Sequence, residues 1–534
     1  MLTNAGGGYS RWKNLDVTRF REDVTCDSSG IFCYLSDVKT GDIWSTTYQP
    51  TLKKPRNYEA IFSDGRVEFR RRDYEFDVHT EIVVSPEDDI ELRRVTITNQ
   101  SRLQKTIDIT SYAEVVMTHS AADKLHPAFS NLFVQTEIIE QRRAIVCTRR
   151  PRSEQEINPW MLHSMAVHGQ DIEQISYETD RSRFIGRGNT LADPQAMGPP
   201  SDLFGTLSDS QGSVLDPIVA IRSRITLGPE QSAVVDMVFG IGQTRDEAIT
   251  LVDKYQDRRI ADRVFEMAWT QSQVLLRQIN ATEADAQLYS HIASSLIFTN
   301  DSLRAGAGVI SENRRVQSGL WGYAISGDLP IVLLRVSDQS HIELVRQLIQ
   351  AHAYWRLKGL AVDLVIWNEE HAGYRQLLHD QIMGLVSSGF VADLKDQPGG
   401  IFVRSTDQMP EEDRILIQTV AHVILSGNRG KLANQVKQRG GLKTAAPRMI
   451  PNRTHREPPV PKAAPPRSDL VFFNGLGDAI AQVLSLHRPT PLELVAVNDT
   501  FGESGTPDQL LKKYGLDVPD ISAAAERALK RKLK

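Results

Sequence analysis

Cysteine is scarce. The 534 residues hold three, Cys26, Cys33 and Cys147, with no CxxC spacing, and an odd number cannot all pair with one another. A reducing compartment, the cytoplasm, is the simpler expectation. Long apolar runs are missing as well: none approaches the ~20 residues that cross a bilayer, so no direct membrane insertion is expected. The opening MLTNAGGGYSRW has no basic stretch followed by an apolar one, and no secretory signal is expected there. Nor is there an excess of one charge. A formal charge of −5 and a pI near 6.3 provide no global drive toward nucleic acid or a membrane surface, and no nucleic-acid partner is expected.

Several catalytic signatures are also missing. Gly6-Gly7-Gly8 lacks a following Gly-Lys-Ser/Thr and follows no strand, so it reads as a flexible turn and not as a phosphate loop. No GxSxG is present, and serine hydrolase chemistry has no support. His119 and His126 stand seven apart, and His371 and His379 eight apart. Neither spacing fits HExxH or a short Cys/His ligand pattern, so no metal site is expected.

What is present is enough apolar material for real cores, 40% of residues. The length suits three or four domains of roughly 100–200 residues. Residues 1–243 read as an antiparallel β-sandwich. Val67 and Phe69 alternate with Glu68 and Arg70, and Tyr74, Phe76 and Val78 with Glu75 and Asp77. Ile107, Ile109, Ala113 and Val115 share one parity, against Thr106, Asp108, Thr110 and Glu114. Period two sends one set inward and the other toward water, and turns such as Ser63-Asp64-Gly65 separate the runs. The last clear strand holds Val235, Met237 and Phe239.

The period then changes. Thr244-Arg-Asp-Glu247 is a capping-box pattern, and Ala248, Leu251, Val252 and Tyr255 follow as a helix stripe. Residues 244–312 are predicted to be a helical linker. Residues 313–438 read as a small parallel α/β domain, with strands at Pro330–Val336, Val362–Trp367 and Ile401–Arg404. Helices are expected at Leu344–Trp355, at Tyr374–Leu385 and at Asp413–Leu425. Residues 439–468 form a disordered Pro-rich linker: between 439 and 467 stand seven prolines and seven Lys or Arg against one acid, Glu457. Residues 469–534 are a short α/β tail. The fold class is multidomain α+β.

Two acids are candidates for proton transfer. Asp328 precedes the first parallel strand, where a carboxylic acid could protonate a glycosidic oxygen. The plainer account is a loop aspartate bonding nearby amides, at the strand end where open sheets do not bind ligands. Glu369, with Glu370, follows the second strand at its carboxyl end. Its plainer account is a helix N-terminal acid favoured by the macrodipole. Trp12, Trp44, Trp321 and Tyr323 offer flat surface for stacking on pyranose faces, against the alternative of core aromatics. Arg187, with Arg183 and Asp193 around Gly186-Arg-Gly188, has the donors that sugar hydroxyls need, against the alternative of a salt-bridged turn.

Four stretches carry a resemblance: NAGGGYSRWKNLDVTRFRED (Asn4–Asp23), FIGRGNTLADP (Phe184–Pro194), ENRRVQSGLWGYAISGDLP (Glu312–Pro330) and FFNGLG (Phe472–Gly477). Together they resemble the cyclic β-1,2-glucan synthase family, whose modules are similar to cellobiose-type phosphorylases of glycosyltransferase family 36 and glycoside hydrolase family 94. In that family glycosyl transfer, cyclisation and trimming lie on modules that would precede Met1 or follow Gly477. The resemblance therefore places no catalytic position on this chain. It implies a carbohydrate-binding or structural module, with a β-glucan or oligosaccharide and other glucan-synthase modules as partners, inactive alone. After Gly477 the likeness changes. Val497-Asn-Asp-Thr-Phe-Gly-Glu-Ser-Gly505 and TPDQLLKKYGL resemble the end of transketolase, whose thiamine diphosphate sites would lie in domains not represented here, so no cofactor is expected. The alternatives are a glycoside phosphorylase using Asp328 or Glu369 as its single acid, and a transketolase-type subunit.

Overall fold

The computed structural model describes residues 1–23, 25–151, 156, 158–198, 206–370, 377–387, 392–437, 476–495 and 507–532. The expectations for the 439–468 linker, the Val497–Gly505 motif, His371 and Tyr374 lie outside the described residues. The chain forms two compact units, Met1–Leu442 and Lys443–Lys534. In the second, helices span Leu476–His487, Pro507–Lys513 and Val518–Lys532, with Glu493 paired to Arg527 and Arg531.

Among the described residues, two antiparallel sheets build the first part of Met1–Leu442. One has seven strands, centred on Lys105–Thr118 with Pro217–Leu227, Leu15–Thr18 and Phe32–Asp37 beside it. The other has eight, ordered Val134–Ile139, Ala144–Arg149, Trp160–His168, Ser232–Gly242, Ile90–Asn99, Phe76–Val84, Arg66–Asp73, Asn57–Ser63. The period-two parities set the core between them: Ile107, Ile109, Ala113 and Val115 pack with Val235, Met237 and Phe239. Glu68 departs from the expected water-facing set. It is buried because Arg66, Arg70 and His79 pair with its carboxylate, which offsets its desolvation.

Val238, out of step with its neighbours, faces the far side of its sheet and packs with Ala248, Leu251, Val252 and Tyr255. These four are the stripe expected after Thr244, on a helix spanning Arg245–Tyr255. Thr244 Oγ1 accepts from the Glu247 N–H at 3.2 Å, and Glu247 Oε2 accepts from the Gln243 N–H at 2.8 Å. The acid thus reaches one residue further back than a capping box does. Thr244→Ala is expected to cost about 1 kcal/mol, read as a lower urea midpoint. An unchanged midpoint would show that the cap contributes nothing.

A second core surrounds a four-stranded parallel sheet ordered Ile401–Ser405, Asp363–Asn368, Ile331–Val336, Val423–Ser426. Helices Glu283–Ile297, Ile342–Leu357 and Leu377–Ser387 cover one face. The other face (Leu333, Val365, Trp367, Phe402) lies under Leu416 and Ile417 of helix Glu411–Val420 and under Leu320 and Ile325. The helix expected through Leu425 ends at Val420, and Val423–Ser426 is a fourth strand. A short apolar run does not reveal its own period. Pairing with Ile331–Val336 satisfies its backbone, and Val423 and Leu425 are fully buried.

One hairpin tip joins sandwich to parallel sheet. Asp64 Oδ1 accepts from Tyr354 OH at 3.1 Å and pairs with Lys358 Nζ at 2.8 Å. Gly65, with φ +87°, packs so closely that a Cβ would stand 2.9 Å from the Ala268 carbonyl oxygen of helix Arg258–Gln278.

Candidate functional site

The Glu312–Pro330 motif folds as a short helix, Ser318–Trp321, and a tight turn into strand Ile331–Val336. Two glycines permit it. A Cβ on Gly319 would stand 2.8 Å from Leu416 Cδ2, so the helix approaches its neighbour only without a side chain there. Gly327 has φ +80°, and a Cβ would meet Leu320 at 2.9 Å and Gln317 at 3.0 Å. Leu320 and Ile325 anchor the turn in the core, leaving the polar residues outside.

Those polar residues form a connected set. Gln317 Nε2 donates to the Ser326 carbonyl at 2.9 Å and to Asp328 Oδ1 at 3.2 Å. Trp321 Nε1 donates to the same Ser326 carbonyl at 3.4 Å. Tyr323 OH donates to Asp413 Oδ2 at 2.8 Å. Burial, then the Asp413 hydrogen bond, push that phenol up to about 12, so it stays a donor at neutral pH. Arg315 Nε lies 3.0 Å from Glu412 Oε2 and 3.5 Å from Asp413 Oδ1. Beneath the motif is a cavity of ≈ 280 Å³, bordered by Asn313, Arg315, Gln317, Leu329, Val420 and His422 among others. Burial, then the charge of Arg304, hold the His422 imidazole below its ordinary pKa, so it is neutral.

The two acids are far apart. Asp328 precedes Ile331–Val336 and Glu369 follows Asp363–Asn368, and these strands are parallel. They therefore sit at opposite ends of the sheet, about 20 Å apart for six residues at roughly 3.3 Å each. Two carboxylates acting across one sugar are about 5–10 Å apart. Asp328 bonds within its own loop, its N–H donating to Ser326 Oγ at 3.2 Å. Glu369 pairs with Arg335 at 2.7 Å, and Glu370 Oε2 accepts from the Leu378 N–H at 3.3 Å beside helix Leu377–Ser387.

The aromatics do not converge either. Trp321 is 63% exposed and shares its loop with half-buried Tyr323. Trp12 lies on the sandwich, donating to Asp89 Oδ2 at 2.6 Å, with the Lys13 ammonium 4.0 Å over its ring. Trp44 is fully buried between the sheets, with ring centroids 5.3 Å from Phe76 and 5.5 Å from Tyr74. It presents no face to a sugar, and its place among the candidates is corrected to that of a core residue. Arg187 is exposed in the Gly186–Gly188 turn, apart from the motif in sequence, and the nearby ion pair is Arg183–Asp180 at 3.9 Å.

Sequence reasoning passed over Asn313, Arg315 and Gln317, although all three stand inside the quoted motif. His422 had no signal, because its segment reads as helix. Elsewhere, Glu68, His79 and Glu81 converge as metal ligands would, with their donor atoms within 4.8 Å. Arg66 already contacts Glu68 at 2.7 Å and Glu81 at 3.0 Å and Arg70 contacts Glu68 at 3.3 Å, so two guanidinium groups offset the two carboxylates a cation would meet.

Residues 1–258 match the family model described as Glycosyl hydrolase 94, supersandwich domain. All the strands of the sandwich lie within that match. The chain is 31% identical to the cyclic beta-(1,2)-glucan synthase of Rhizobium meliloti (strain 1021), in an alignment over 94% of this chain and 18% of that protein. A second likeness, at 26% identity, is to the N,N'-diacetylchitobiose phosphorylase of Vibrio furnissii, over 50% of this chain and 32% of that one. The chain thus spans less than a third of the length of each. A stretch of 60 residues is 45% identical to a 6-deoxy-6-sulfo-D-fructose transketolase subunit of Clostridium sp. (strain MSTE9), over 11% of this chain and 19% of that one. The resemblances carried by the sandwich motifs and by the transketolase-like tail both hold. No helix among the described residues is long and apolar enough to cross a membrane.

Proposed function

We propose that this chain is a carbohydrate-binding and structural module of β-glucan metabolism that does not turn over glycosides alone. Its partners are a β-glucan or gluco-oligosaccharide and other modules of a glucan-synthesising enzyme. The observation that carries the reading is the supersandwich continued into synthase-like sequence over most of the chain. The separation of Asp328 from Glu369 supports the absence of paired-carboxylate chemistry. A cytoplasmic setting is supported by three free thiols, two of them buried in one core, where burial pushes Cys33 up to about 12.

The test is turnover. Purified chain is expected to give no phosphate release or consumption above buffer with β-1,2- and β-1,4-gluco-oligosaccharides. Robust turnover, lost in Asp328→Ala or Glu369→Ala, would establish a phosphorylase and overturn the module reading.

A further inference from the structure

We propose that the cavity beneath the Glu312–Pro330 motif binds one neutral glucosyl-sized ring of a gluco-oligosaccharide, and that Trp321 supports the next ring along the chain. This rests on the carbohydrate-module reading and names its site.

Size is the first ground. At ≈ 280 Å³ the cavity lies just below the roughly 300–1,000 Å³ of drug-sized small-molecule pockets, which suits one ring and not several. The second ground is the distribution of polarity. Asn313, Arg315 and Gln317 line it with polar side chains, while Leu329, Leu416 and Val420 supply apolar surface. A pyranose has the same division, hydroxyls around its rim and C–H groups on its faces.

Charge decides between ligand classes. A phosphate or carboxylate needs a cation with no partner of its own. Arg315 is already engaged by Glu412 and Asp413, and His422 is held neutral by burial and by Arg304. A neutral ligand asks for no uncompensated charge. The Trp321 indole adjoins the cavity, because it and Gln317, a cavity residue, donate to the same Ser326 carbonyl. Its exposed ring offers stacking surface outside the cavity.

The experiment is titration calorimetry on the full chain with β-1,2- and β-1,4-gluco-oligosaccharides, and with inorganic phosphate as the anionic probe. Gln317→Ala and Trp321→Ala both alter exposed side chains, and thermal unfolding checks their fold. Each is expected to weaken oligosaccharide affinity about tenfold, and phosphate is expected neither to bind nor to compete. Wild-type affinity in both folded variants would overturn the assignment of the site while leaving the module reading in place. No oligosaccharide binding by the wild-type chain would overturn both. Competition by phosphate, lost in the variants, would replace the neutral ring with an anion.

Discussion

Gly65→Val is expected to lower the unfolding midpoint by an amount equivalent to about 2–4 kcal/mol, the combined effect of a left-handed residue and an overpacked contact. A β-branched side chain tolerates φ +87° poorly, and its Cβ would stand 2.9 Å from the Ala268 carbonyl and 3.1 Å from Ser272 Cβ. The neighbouring Asp64→Ala removes the acceptor of Tyr354 OH and the partner of Lys358. Lys358 is partly exposed and can turn to water, so this change is expected to cost less, about 1–2 kcal/mol. Both should raise amide exchange in helices Arg258–Gln278 and Ile342–Leu357, which meet the hairpin tip, before the sandwich core. Unchanged exchange in those helices, at an unchanged midpoint, would show that the tip is not a joint.

Acid should destabilise the sandwich through one buried imidazole. His163 is fully buried and stacked 4.0 Å from Phe239, with Nε2 2.7 Å from Ser111 Oγ and Nδ1 3.2 Å from the Val238 carbonyl. A neutral ring donating from Nδ1 and accepting at Nε2 satisfies both contacts. Burial holds its pKa down to about 3. Unfolded, the ring titrates near 6.5. The unfolded state therefore binds the extra proton, so this stability is complete above pH 6.5 and is lost as pH falls toward 3. Between pH 7 and pH 5 the loss is about 2 kcal/mol. His163→Gln should flatten that slope, whatever its absolute effect on stability. His352, also held low by burial, leaves a residual dependence. Urea midpoints of wild type and variant across pH 5–7 are the measurement, and equal slopes would remove His163 as the cause.

Much of the architecture was legible because it is written in local periods. Ile107 to Val115 and Val235 to Phe239 show which faces are apolar without reference to the rest of the chain. Thr244 and its stripe mark a helix start by capping chemistry that spans four residues. The site was legible only as a motif. Gly319 and Gly327 stand out in the sequence, but the Leu416 and Gln317 contacts that require them do not.

The sequence by itself determined most of the elements, the change from period two to helical period after residue 243, and the family likeness of the sandwich, since each is carried by neighbouring residues; the strand Val423–Ser426, too short to show its period, was not among them. The tertiary structure alone decided which tryptophan is core and which is surface. Trp44 and Trp321 each stand within three residues of a glycine, yet Phe76 and the opposing sheet cover one while the other is 63% exposed. It also set Asp328 and Glu369 at opposite sheet ends and brought His422 to Arg315 and Gln317. The physical reason is that burial and proximity depend on partners tens to hundreds of residues away, and no local pattern encodes who those partners are.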